Sequence, residues 1–240
     1  MALRRLTLAL AVTLVLGALG GVARASSLRV SPVGLELAGG QAAATITLRN
    51  DDTAPANVQI RVFRWTQATG EDRLEPAEDL VVSPPIAALE ASSERVVRIV
   101  RISAAPQAEE SYRLIIDELP PPPGEASRRV RLLTRHSIPV FLGSGGHAAP
   151  RVAWRARVEG DTVTLVGRNT GGRRLRISNA RLAGADGAPL AVHPGLLGYV
   201  LARSEMMWRL PVMKPGDPRP ARLLADTDNG PIDVQLSPST

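Results

Sequence analysis

From residue 27 onward the chain alternates apolar and polar side chains in short runs. Leu28-Arg29-Val30, Ala44-Thr45-Ile46-Thr47-Leu48 and the run 58–65 keep a period of two, the pattern of a strand with one buried face. Residues 95–102 and 111–119 are mixed apolar runs of strand length. Gly39-Gly40, Asn50-Asp51-Asp52, Thr69-Gly70-Glu71-Asp72 and residues 120–124 separate them with turn chemistry. No helical period is sustained, so the pattern predicts an all-β sandwich rather than a helical or βαβ fold.

Around residues 143–150 the pattern lapses into Gly, Ser and Ala, a linker composition. Strand patterning resumes at 152–158, 162–168, 174–182, 206–212 and 232–236, with turns at Gly160-Asp161, 169–172 and Ala185-Asp186-Gly187. This predicts two β-sandwich domains, 26–144 and 148–240.

The first 25 residues read differently. Arg4 and Arg5 precede an apolar run over 6–19, followed by small residues ending at Val22-Ala23-Arg24-Ala25. That layout is a secretory signal peptide, 1–25, with cleavage near Ala25-Ser26. The run is shorter than the roughly 20 apolar residues of a membrane span. The chain is therefore expected to be exported.

Charge and composition exclude several functions. The formal excess of +6 halves once Arg4, Arg5 and Arg24 leave with the leader, and Lys214 is the lone lysine among arginines. A small net charge and few aromatics argue against nucleic-acid binding. With no cysteine there is no thiol chemistry, disulfide or cysteine metal site. His136, His147 and His193 are scattered, without metal-ligand spacing, and no nucleophile-elbow motif is present. Gly39-Gly40 and Gly145-Gly146 lack the lysine and helix of a phosphate loop. The expectation is no catalytic residue, metal, cofactor or small-molecule substrate.

Residues 109–119, a Pro-rich loop at 120–124, and residues 128–141 read as a hairpin of two long strands. In the second strand Val130, Leu132, Thr134, His136, Ile138 and Val140 share one face, and Arg129, Arg131, Leu133, Arg135 and Ser137 the other. A strand longer than about 10 residues is unusual in a small sandwich, and a long edge strand needs cover or a purpose.

The stretch Glu109-Glu110-Ser111-Tyr112, running on to Glu118-Leu119-Pro120-Pro121, resembles the signature of the pilus-assembly (fimbrial) periplasmic chaperones. Other pieces follow in the family's order: Ser31-Pro32-Val33, Leu48-Arg49-Asn50, Val81-Val82-Ser83-Pro84-Pro85, and Leu89-Glu90-Ala91-Ser92-Ser93 leading into Val97-Arg98-Ile99. The run 58–65 with Thr66-Gln67 and Gly70-Glu71-Asp72 looks like the divergent branch often called archaic.

That resemblance implies two immunoglobulin-like domains in a boomerang. It also implies a G strand lent to an incomplete pilus subunit, which is then delivered to an outer-membrane usher. The implied subunit-binding side chains are Val130, Leu132, Thr134 and Ile138; the other reading of Ile138 and Val140 is that they face their own domain's core. The family's usual carboxylate-anchoring arginine and lysine are replaced here by Val33 or Gly34 and by Ser137. The anchor candidates are then Arg135, with Arg98, Arg101 and Arg113 expected on adjacent strands. The exposed strand is open to self-association as well. A secreted structural or adhesive β-sandwich protein, such as a pilus component, is the alternative.

Overall fold

The computed structural model describes residues 28–104, 106, 108–120, 132–143, 148–213 and 219–238. The signal-peptide expectation and the position of His147 lie outside them.

The described chain is all-β, built as two immunoglobulin-like sandwiches. The first comprises β1 (Leu28–Ser31), β2 (Leu35–Leu37), β3 (Ala43–Asn50), β4 (Ala56–Ala68) and β5 (Glu71–Pro76). It continues with β6 (Leu80–Ser83), β7 (Ile86–Leu89), β8 (Glu94–Arg101), β9 (Glu110–Leu119) and β10 (Arg135–Leu142). One sheet has the order β1-β3-β8-β6; the other runs β2-β10-β9-β4-β5, with β7 also on β4. The second sandwich comprises β11 (Val152–Glu159), β12 (Thr162–Asn169), β13 (Leu175–Gly184) and β14 (Pro189–Val200). It closes with β15 (Glu205–Pro211), β16 (Pro220–Thr227), β17 (Gly230–Gln235) and β18 (Ser237–Pro238). Its sheets are ordered β15-β12-β11-β18 and β14-β13-β16-β17.

The period-two runs fold as their pattern requires. In β3 and β8, Ile46, Leu48, Val97 and Ile99 turn inward, and they meet Val58, Ile60, Leu114, Ile116 and Val140 of the facing sheet. Burying each such side chain contributes roughly 1.5–3 kcal/mol. A separate core forms around Trp154, Leu165, Ile177, Leu182 and Leu223 in the second sandwich.

Each sandwich is closed at one corner by a buried asparagine. Asn50, at the end of β3, donates from Nδ2 to the carbonyls of Ala54, Leu89 and Glu90 at 2.8–3.3 Å. Asn169, at the end of β12, makes the same three-carbonyl bridge to Arg173, Val200 and Leu201 at 2.7–3.3 Å. One amide thus satisfies strand-end and loop carbonyls that otherwise lose their hydrogen bonds on burial.

The sequence pattern missed seven of the described strands: β2, β5, β6, β7, β14, β16 and the two-residue β18. β2, β6 and β7 have only three or four residues, too few to display a period. β5 (Glu-Asp-Arg-Leu-Glu-Pro) is exposed throughout, so no burial rhythm marks it. In β14, register shifts opposite Ser178 and Leu182 break the alternation. The expected single strand over 128–141 is also corrected: β10 begins at Arg135, Leu132 to Thr134 precede it outside the strand, and residues 128–131 lie outside the described residues.

Candidate functional site

β10 is bordered on one side along its whole length by antiparallel β9, from Arg135 opposite Asp117 to Leu142 opposite Glu110. The Thr134 carbonyl accepts from the Glu118 N–H at 3.0 Å. Antiparallel alternation therefore turns the backbone groups of His136, Ile138 and Val140 toward β9, and those of Arg135, Ser137 and Pro139 away from it. On that second edge β2 pairs in parallel with Val140, Phe141 and Leu142 only. Among the described strands none takes the edge from Arg135 to Pro139. A proline suits such an edge, since it has no N–H to donate.

The two faces of β10 do different work. Ile138, 4% exposed, packs with Val140 and Leu142 in the core of its own sandwich. The Thr134 hydroxyl donates to Glu118 Oε2 at 3.3 Å, which keeps it on the same inner side. Leu132 projects into solvent at 65% exposure, and Leu133 beside it is also exposed. Val130 lies outside the described residues. Of the four side chains expected to be lent, Leu132 is therefore free, while Thr134 and Ile138 are engaged within their own domain.

The outer face carries the charge. Arg61 on β4 and Arg135 on β10 both ion-pair with Asp117 on β9, Arg61 at 2.5 Å. Burial pushes the Asp117 pKa up, but hydrogen bonds from Arg135 and Arg61 outweigh it and leave it below the usual value. One row along the sheet, Ser137 stands opposite Ile115, which stands opposite Arg61. In the next row Arg113 stands opposite Pro139 and Phe63. Arg61, Arg113 and Arg135 thus share this face with Ser137, with Asp117 as the carboxylate that pairs with two of them.

Arg98 and Arg101 are not adjacent to β10, contrary to expectation. Both lie on β8 in the opposite sheet. Arg98 is exposed there, and Arg101 is buried against Glu110 at 2.5 Å. The short apolar repeat of residues 95–102 gave their strand but not their sheet. Arg61 was missed; its position between Ile60 and Val62 marks it as facing outward, but nothing in the sequence says that this face borders β10.

The open edge lies beside the junction of the sandwiches. Trp65, Phe141 and Tyr199 form a three-ring cluster with centroids 5.4–6.0 Å apart, joined by Leu201. Gln67 receives the Leu201 N–H and donates to the Tyr199 carbonyl, both at 2.9 Å. The Met207 N–H donates to the Gly70 carbonyl at 3.0 Å. Arg174 reaches across from the second sandwich to Glu109 at 2.6 Å and to Glu36. The two sandwiches therefore meet through apolar, hydrogen-bonded and ionic contacts. This geometry can accept an added β-strand along 135–139 and an anion on the arginine face beside it.

Residues 27–143 match the family described as pili and flagellar-assembly chaperone, PapD N-terminal domain. Among solved structures, the complex of the chaperone CsuC with the tip subunit CsuE from archaic Csu pili of Acinetobacter baumannii is 22% identical. It covers 90% of this chain and 100% of that one, with a TM-score of 0.67. The Salmonella enterica SafA pilin with the SafB chaperone gives 19% identity, 90% and 99% coverage and a TM-score of 0.60. The Escherichia coli chaperone DraB gives 22%, 89% and 98%, and 0.59. No curated protein matches the chain.

Proposed function

Because the first sandwich belongs to the pili and flagellar-assembly chaperone family, we propose that this protein is a non-enzymatic chaperone of pilus assembly. It holds an unfinished pilus subunit by adding a β-strand to it and passes the subunit to an outer-membrane usher. It works in the periplasm after removal of residues 1–25.

The observation that carries this reading is the edge of β10 from Arg135 to Pro139, unpaired among the described strands and preceded by exposed Leu132 and Leu133. A subunit lacking its last strand leaves backbone groups and apolar side chains in water. An added strand satisfies the first by main-chain hydrogen bonds and the second by alternate side chains. Val130 and Leu132 are the lent residues. The subunit's C-terminal carboxylate docks on the face formed by Arg135, Arg113 and Arg61, next to Ser137, where hydrogen-bonded arginines offset the cost of removing it from water.

The test is co-expression with the products of neighbouring genes and purification from the periplasm. A one-to-one complex with a small β protein that is insoluble by itself is expected, together with a mature N-terminus near Ser26. Recovery of the protein alone and abundant, with such subunits degraded, sinks the proposal.

A further inference from the structure

Two guanidinium groups lie on the aromatic cluster, and they differ in one respect. Arg174 sits 3.7 Å from the Phe141 centroid and is neutralised by Glu109 and Glu36. Arg113 sits 3.8 Å from the Trp65 centroid and 5.7 Å from that of Tyr199, and has no ion pair within 4 Å among the described residues. Asp72 is the carboxylate whose field it feels, yet Oδ1 of Asp72 is already used by Trp65 Nε1 at 2.8 Å and Gln67 Nε2 at 2.9 Å. Burial among these groups holds the Arg113 pKa below the usual arginine value, offset in part by Asp72 and Tyr199. A half-buried cation with no ion pair is a seat for an incoming carboxylate.

What holds that cation in place comes from both sandwiches. Trp65 gives Arg113 one ring wall from the first domain. Tyr199, at the end of β14, gives the second, set edge-on to Trp65 at an interplanar angle of 85°. Tyr199 is fixed by Gln67, whose amide bridges the Tyr199 carbonyl and the Leu201 N–H as a neighbouring strand would. We infer that Tyr199, clamped by Gln67, is a positioning residue for Arg113, so that the second sandwich sets the carboxylate-binding cation of the first. The inference rests on the proposed role of Arg113 in seating a subunit's C-terminal carboxylate. Without the Tyr199 ring, a long arginine side chain recovers rotamer freedom that it must lose again on binding.

The test is nuclear magnetic resonance of the arginine Nε–Hε group in the full mature chain. Sodium acetate, titrated against chloride at constant ionic strength, serves as the carboxylate probe, and loss of the signal in Arg113→Lys assigns it. In the parent and in Tyr199→Phe, the Arg113 signal is expected to be displaced by ring currents and to shift saturably with acetate. In Tyr199→Leu it is expected to lose both the displacement and the acetate response, with backbone amides distant from the cleft unchanged. If Tyr199→Leu does not fold, Gln67→Ala carries the same test, with acetate affinity at least about threefold weaker. An equal acetate response in parent, Tyr199→Leu and Gln67→Ala overturns the positioning role and leaves Arg113 as a carboxylate seat. Absence of any response in the parent removes Arg113 from the anchor, and the inference falls with it.

Discussion

Glu109 and Arg174, 65 positions apart in the chain, meet between the two sandwiches at 2.6 Å with both side chains shielded from water. The Arg174 backbone N–H also donates to Glu109, at 2.7 Å. Removing one member of a buried pair strands the other charge, which typically costs about 3–5 kcal/mol. Glu109→Ala and Arg174→Ala should each lower the urea midpoint accordingly, and the double variant should cost less than the two together. A loss under about 1 kcal/mol for either single variant would show that water replaces the partner.

Leu132 and Ile138 share a face of the chain but not an environment, so they should respond oppositely. Ile138→Ala opens a cavity in the first core and should cost about 2–5 kcal/mol by denaturation. Leu132→Asp, at an exposed position, should leave stability within about 0.5 kcal/mol yet abolish recovery of the subunit complex. Full subunit recovery with Leu132→Asp contradicts its assignment as a lent side chain.

The paired asparagines predict a shared sensitivity. Asn50→Ala and Asn169→Ala each free up to three strand-end or loop carbonyls, and leaving buried polar groups unsatisfied costs about 1–3 kcal/mol. Amide exchange should report each change locally, near residues 89–90 for Asn50 and 200–201 for Asn169. Exchange that rises throughout the chain instead would contradict the local role.

Asp117 gives the acid dependence a named source. Its folded pKa lies below the unfolded value of about 3.9, so its contribution is present above that pH and is lost as pH falls through the folded pKa. Asp117→Asn should lower stability at neutral pH and flatten the loss below about pH 4. Urea midpoints across a pH series decide it: an unchanged acid limb assigns the dependence to other carboxylates.

Much of the first sandwich was legible in the sequence because its long strands bury one face. Val58, Ile60, Val97, Ile99, Leu114 and Ile116 are all core residues at alternating positions. The inner-facing set on β10 was readable for the same reason. The strand's true start at Arg135 was not, because apolar alternation continues through Leu132 without a neighbouring strand to pair with. The arginine candidates show the same limit. Alternation places Arg98 and Arg113 outward on their strands, but nothing local distinguishes an arginine beside β10 from one on the opposite sheet.

The sequence by itself determined the all-β class, the strands with a clear burial rhythm and the resemblance carried by Glu109-Glu110-Ser111 through Pro121. Those features are local, fixed by period and turn chemistry within about ten residues. Only the tertiary structure decided that β2 covers β10 at residues 140–142, with no described strand on the edge from 135 to 139. It alone brought Arg61, Arg113 and Arg135 onto one face with Ser137, and Tyr199 against Arg113. Sheet order and domain contact join residues far apart in sequence, and no spacing along the chain encodes which strands become neighbours.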